Sequence, residues 1–222
     1  NTGNGTFELD QNFTPFPLTQ ASPSFSDFDL DGDQDLFYAG ANDQGTPTTY
    51  IYENLGNGTF SLFGENAFQG NVWGVLKMVD LNNDLYPDII AAGDGMWPAE
   101  TIIQLNNGDK TFTKIENHGI DPFSIPSIET LDINSDGYLD IILSGELNNQ
   151  YASTKVYLND GEGTFLLVSS SPFTPFERGS TVFEDFNGDN YPDILCSGFF
   201  PQNEESILYI NDGTGLDFDS LH

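Results

Sequence analysis

The stretch Asp27-Phe-Asp29-Leu-Asp31-Gly32-Asp33-Gln-Asp35 decides how the rest of the chain is read, because it returns three more times. Its counterparts are Asp80-Leu-Asn82-Asn-Asp84-Leu85-Tyr86-Pro-Asp88, Asp132-Ile-Asn134-Ser-Asp136-Gly137-Tyr138-Leu-Asp140 and Asp185-Phe-Asn187-Gly-Asp189-Asn190-Tyr191-Pro-Asp193. The loops start 53, 52 and 53 residues apart, and positions 1, 3, 5 and 9 carry an oxygen-bearing side chain in all four. A fixed period of this length marks a protein assembled from copies of one supersecondary unit.

Two further markers keep the same phase. A turn of the form Asn-x-Gly-x-Gly-Thr-Phe stands at Asn1–Phe7, Asn54–Phe60 and Asn159–Phe165, with variants at Asn106–Phe112 and Asn211–Phe218. A glycine closes a short apolar run at Gly40, Gly93, Gly145 and Gly198. Segments within each period are short, rich in β-branched and aromatic residues, and bounded by Gly, Asn, Asp or Pro, with no helical periodicity. The first strand precedes the Asp loop (Phe25, Val75–Val79, Ile128–Leu131, Thr181–Phe183) and the second follows it (Leu36–Ala39, Ile89–Ala92, Ile141–Ser144, Ile194–Ser197). The second is apolar almost throughout, as a strand covered on both faces requires. The third (Tyr50–Glu53, Ile102–Leu105, Val156–Leu158, Leu208–Ile210) and the fourth flank the Asn-Gly turn as a hairpin. The expected fold class is therefore all-β, with four four-stranded antiparallel β-propeller blades at approximately residues 20–63, 73–115, 125–168 and 178–220. Residues 1–10 are expected to be the last strand of a preceding blade, and the absence of an initiator Met suggests processing or excision from a longer protein.

The recurring acids suit a hard cation. Calcium takes six to eight oxygen ligands in flexible geometry, and alternating residues of a tight loop can turn side-chain oxygens inward together with a backbone carbonyl. The expected ligands are Asp27, Asp29, Asp31 and Asp35, with the carbonyl of Asp33; Asp80, Asn82, Asp84 and Asp88, with that of Tyr86; Asp132, Asn134, Asp136 and Asp140, with that of Tyr138; and Asp185, Asn187, Asp189 and Asp193, with that of Tyr191. Up to four Ca2+ are expected. Magnesium, which demands stricter octahedral geometry, fits less well. Asp and Asn also simply make good turns, but the same four positions in phase four times ask for more than turn chemistry. Position 6 calls for a left-handed backbone, which Gly32 and Gly137 supply freely, Asn190 tolerates and Leu85 resists. The second loop is thus expected to be the weakest, and the first, with its surplus of carboxylates, the strongest.

These loops and turns resemble the FG-GAP/VCBS repeats of integrin-alpha-like β-propellers, and the resemblance spans essentially the whole chain. It implies calcium between the first and second strands of each blade, ligand binding on the opposite face of the disc, and extracellular or cell-surface use in adhesion or carbohydrate recognition. Such propellers typically close with about seven blades, so the four read here imply further blades in a longer parent chain or self-association.

Composition narrows the function classes. The chain has 35 acidic against 5 basic residues, a formal charge of −30, which leaves no basic footprint for nucleic acid or for anionic membranes. Aromatic residues at 14% supply enough material for a packed core. No apolar run is long enough to span a bilayer, so no direct membrane insertion is expected. The single cysteine, Cys196, reads as a core residue, His118 as a surface bystander, and the regularly placed aspartates are already accounted for by calcium; no enzyme is expected. The sequons at Asn4, Asn12 and Asn57 read as turn chemistry or chance.

Binding residues are expected where the repeats differ, in the connections away from the Asp loops. These hold Trp73, Trp97, Tyr151, Arg178 and Phe200, whose rings and guanidinium suit a glycan or a protein partner, although each aromatic could equally pack between blades. The expected function is a calcium-stabilised extracellular recognition or adhesion module. The alternative is a structural or accessory segment of a larger secreted enzyme or surface assembly, with no ligand of its own.

Overall fold

The computed structural model describes residues 3–8, 13–65, 74–94, 98–147, 151–169, 172–199, 204–211, 213 and 218–221. These form no helix and sixteen strands arranged as four antiparallel sheets, each a meander in chain order. The first sheet comprises β1 (Thr19–Ser26), β2 (Asp35–Ala41), β3 (Pro47–Asn54) and β4 (Phe60–Glu65). The second comprises β5 (Val75–Val79), β6 (Asp88–Asp94), β7 (Ala99–Asn106) and β8 (Phe112–Lys114). β9 (Phe123–Leu131), β10 (Asp140–Leu147), β11 (Tyr151–Asn159) and β12 (Phe165–Leu167) make the third. β13 (Glu177–Glu184), β14 (Asp193–Phe199), β15 (Glu204–Asn211) and β16 (Phe218–Leu221) make the fourth.

Side chains alternate across each strand, so neighbouring residues serve different interfaces. Ile89 and Ile102 pack toward the first sheet with Phe28, Phe37 and Ile51, whereas Ile90 and Ile103 pack toward the third with Ile128, Ile141 and Tyr157. Ile142 and Val156 turn the other way, onto Ile194, Ile207 and Tyr209 of the fourth. This sandwiching explains why every residue of β6 is buried, and why the second strands read as apolar runs. Cys196 lies in the third-to-fourth interface, where burial pushes its thiol up to about 11 and keeps it unreactive.

The outer face of the first sheet is closed by the chain that precedes it. Phe13 and Leu18 cover Leu36, Tyr50 and Tyr52, with Phe16 stacked on Tyr50 at 5.0 Å. The Phe16 N–H donates to the Tyr52 hydroxyl at 2.9 Å, and the same tie recurs from Asp121 to Tyr157 (3.3 Å) and from Thr174 to Tyr209 (2.8 Å). A tyrosine of the third strand thus anchors the segment leading into its own sheet. Residues 3–8, expected within a strand, are exposed and carry none, although the Asn4 side chain still accepts from the Thr6 N–H and hydroxyl.

His118 is no bystander. It is half-buried, its Nδ1 accepts the Ile120 N–H at 3.2 Å, and the proton on Nε2 is thereby free to be donated to the Thr101 carbonyl at 3.0 Å. Burial lowers its pKa, so the neutral ring holds the β8–β9 connection to β7.

The recurring glycine has a steric cause that its spacing alone does not reveal. The first strands of sheets one, three and four carry a β-bulge at the same repeat position, with left-handed backbone at Gln20, Ile125 and Arg178. The bulge presses the first strand onto Gly40, Gly145 and Gly198: a Cβ on Gly145 would lie 2.7 Å from the Ser124 carbonyl oxygen. Gly145 also has φ 154°, a conformation that side chains disfavour. Gly145→Ala should therefore destabilise the protein by about 2 kcal/mol or more, read as a lowered midpoint of denaturant unfolding. A neutral result would show that the bulge can relax.

Candidate functional site

The meander topology sorts the connections between the two ends of every sheet. Asp loops join first to second strands and Asn-Gly turns join third to fourth, so both lie at one end, while the variable connections lie at the other.

Each Asp loop is wound around its own side chains in the same way. The position-1 carboxylate accepts the N–H groups of positions 5 and 6; in the third loop Asp132 takes Asp136 at 3.0 Å and Gly137 at 2.9 Å. Asp27, Asp80 and Asp185 do the same in theirs. Position 5 accepts the N–H of position 7, at 2.9–3.0 Å throughout. In the last three loops the position-3 amide of Asn82, Asn134 or Asn187 donates to the position-5 carboxylate.

Position 9 behaves differently. Asp35, Asp88, Asp140 and Asp193 are all fully buried. One oxygen of each accepts the N–H of position 2, from Phe28, Leu81, Ile133 and Phe186. The other accepts the N–H of the asparagine that opens the hairpin turn, Asn54, Asn106, Asn159 or Asn211, at 2.8–2.9 Å. Desolvation pushes Asp35 up to about 6, Asp88 up to about 7 and Asp140 upward, against the pull of those N–H groups. A cation at the loop would favour the charged form and reverse that cost.

Those asparagines are functional positions that sequence reasoning passed over as turn residues. Beyond its backbone bond to position 9, each accepts the N–H of the glycine two residues on. The amides of Asn106 and Asn159 reach the preceding sheet, donating to Phe28 O at 2.8 Å and Leu81 O at 2.7 Å. Their recurrence in all five turns was the available signal. The first turn glycine is fixed by position 7: a Cβ on Gly108 or Gly161 would lie within 3 Å of the ring of Tyr86 or Tyr138.

Backbone strain is spread more widely than position 6 suggests. Leu85 does adopt φ 79°, but position 4 is left-handed too, at Leu30 (60°), Asn83 (61°) and Ser135 (60°), with only Gly188 free of cost. The first loop therefore carries strain of its own. Asn83 uses the geometry to donate to the Gly137 carbonyl of the next loop at 2.8 Å.

The first loop's donor set suits an oxygen-seeking cation, and among the described residues no three carboxylates of the other loops converge as closely. Asp27, Asp29 and Asp35 each place an oxygen within 4.8 Å of the others, and Asp29, Asp31 and Glu53 form a second such group. That separation matches ligands about 2.4 Å from a shared calcium-sized ion. Glu53 was absent from the expected set.

At the opposite end, Tyr151 is exposed, and Arg178 bonds to Glu146 Oε1 at 3.1 Å. Arg178 lines an open recess of about 770 Å3 with Glu177, Ser197, Gly198, Phe199, Glu205 and Ser206. Trp73, Trp97 and Phe200 lie outside the described residues.

Together these features define an all-β protein of repeated four-stranded sheets with acidic loops at one end. The chain belongs to the FG-GAP-like repeat family, matched over residues 27–91, 80–143 and 132–196, each match running from one Asp loop into the second strand of the next repeat. No curated protein matches its sequence. Among solved structures it is similar to an Agrocybe aegerita lectin described by its specific recognition of non-reducing terminal N-acetylglucosamine, with a TM-score of 0.62 and 19% identity. The likeness covers 91% of this chain and 52% of that one, so the chain spans about half the length of the lectin and shares its fold over that span.

Two expected outcomes separate the roles within a loop. Asp140→Ala strands two backbone N–H groups and should cost about 2–4 kcal/mol whether or not calcium is present. Asp136→Ala, on an exposed residue, should lose most of its effect once chelator is added; equal losses in both conditions would overturn this division. Leu85→Gly removes left-handed strain of about 1–2 kcal/mol at a residue 73% exposed. Part of that gain is offset by the greater freedom of glycine in the unfolded chain. A small net rise in thermal midpoint is expected, and a fall would show that the leucine makes a contact of value.

Proposed function

We propose that this chain is a calcium-stabilised extracellular recognition module built from β-propeller blades, binding a glycan on the face opposite its Asp loops. The observation that carries the reading is the segregation of chemistry between the two ends: in-phase acidic loops at one, and an open recess with Arg178 and Phe199 at the other. Family membership and the lectin fold support it. The chain acts as a binding scaffold rather than a catalyst.

Calcium would be held by positions 1, 3, 5 and 9 and the position-7 carbonyl of each loop. It supplies counter-charge: four divalent ions, eight positive charges, bring the formal net charge from −30 to −22. They act where buried aspartates are otherwise held next to other carboxylates. The coupling of metal to folding follows from that neutralisation.

Thermal unfolding in chelator and in millimolar calcium tests the metal half; the midpoint should rise with calcium, and an unchanged midpoint sinks it. A glycan array that includes terminal N-acetylglucosamine, run with both preparations, tests the recognition half. Calcium-dependent binding that Arg178→Ala weakens without shifting the melt is the expected result. Silence on glycans, with a normal calcium response, would favour a purely structural segment.

A further inference from the structure

Lys110 occupies a place where a lysine is unexpected. It stands in the hairpin turn of the second sheet at the position held by Gly58, Gly163 and Gly215 in the other turns, and its backbone keeps a left-handed φ of 68°. Its ammonium lies 2.6 Å from Asp29 Oδ2 and 2.7 Å from Glu53 Oε1, both in the first sheet's acidic end, and 5.9 Å from the centre of the Phe28 ring.

The residues it meets are departures from the repeat as well. Asp29 stands where the other loops have Asn82, Asn134 and Asn187, and Glu53 where the other third strands have Leu105, Leu158 and Ile210. Asp33 replaces a tyrosine. The loop with added carboxylates thus faces the turn with the added cation. At the next junction the same contact is apolar, since a Cβ on Gly163 would lie 3.5 Å from Leu105. The Asp29 side chain is only 6% exposed beneath the lysine, and it belongs to both groups of convergent carboxylates.

We propose that Lys110 is a tethered counter-ion for the first acidic loop, one that clamps the first two sheets together without metal and lowers that loop's affinity for divalent cations. The ammonium takes up an oxygen that a metal would use and repels a second cation beside it. A lysine ammonium carries its charge throughout the neutral range. Carboxylate count, which ranks the first loop strongest, leaves out this intruding charge. The affinity half rests on the calcium reading above, whereas the clamp does not.

The test follows the Gly32 and Gly137 amides of the first and third loops by NMR while calcium is added to the metal-free full chain. Lys110→Met removes the charge and keeps a long side chain; Lys110→Gly restores the residue of the other turns. Both should move the Gly32 midpoint to on the order of tenfold lower calcium, as expected for removing a unit charge a few ångströms from a divalent ion in a water-like medium. The Gly137 midpoint should stay in place. In chelator, Lys110→Met should melt about 2–4 °C earlier than the parent, a difference that closes at saturating calcium. An unmoved Gly32 midpoint overturns the affinity claim, and an unchanged chelator melt overturns the clamp. If neither amide responds to calcium in any variant, the calcium reading falls and takes the affinity claim with it, while the chelator melt still judges the clamp.

Discussion

The constraint on which the structure depends is the fully buried aspartate that closes each Asp loop. Asp35, Asp88, Asp140 and Asp193 each hold two backbone N–H groups, one from the start of the loop and one from the end of the third strand. One carboxylate thereby fixes three chain segments at a corner where the strand ladders end. Buried polar groups must be paired, and two charge-assisted bonds on one acceptor meet that demand with few residues. Holding an anion in the interior remains costly, as the raised pKa values of Asp35 and Asp88 show. The rest of each loop gathers more acids at that corner, so the side chains that wind the loop are also the ones that would hold the proposed cation.

From this corner the repeats are joined to one another. The asparagine clamped by position 9 turns its amide outward, and in Asn106 and Asn159 that amide bonds the position-2 carbonyl of the preceding sheet. Position 2 is therefore held from two sides, its N–H by its own aspartate and its carbonyl by the next repeat. Below the corner, consecutive isoleucines in the second and third strands divide themselves between neighbouring interfaces. Repeated sheets of this kind depend chiefly on their nearest neighbours. Here the dependence has two parts, a directional polar link at the loop end and an apolar contact along the sheets.

Much of this was legible because repetition turns one ambiguous signal into four. The Asp loops and hairpin turns were placed by phase and the strands by their composition within it, and the family match covers residues 27–196 of the same pattern. Less was visible where a residue's task depends on a partner far away in the chain. The turn asparagines looked like local turn formers, yet two of their bonds span 78 residues. His118 looked idle until its ring was seen between Thr101 and Ile120. Left-handed backbone at Leu30 and Ser135 follows from the loop's winding around its carboxylates and has no marker in those residue types. Lys110 and Glu53 depart from the repeat, and such a departure acquires meaning once its distance to another departure is known.

The same logic explains why the two ends of the molecule differ in variability. At the loop end the side chains of positions 1, 3, 5 and 9 accept backbone hydrogen bonds, so substitution at those positions disturbs the backbone directly. At the other end the first-strand bulge fixes only the main chain, against Gly40, Gly145 and Gly198. The left-handed residue at the bulge is Gln20, Ile125 or Arg178. Three chemically unrelated side chains thus occupy a site whose backbone is specified by sterics. A rigid position whose side chain is unspecified by the fold is what a recognition surface requires, because residues can change there without loss of the scaffold. In the fourth sheet that position holds Arg178, exposed, bonded to Glu146 and at the edge of the recess with Phe199.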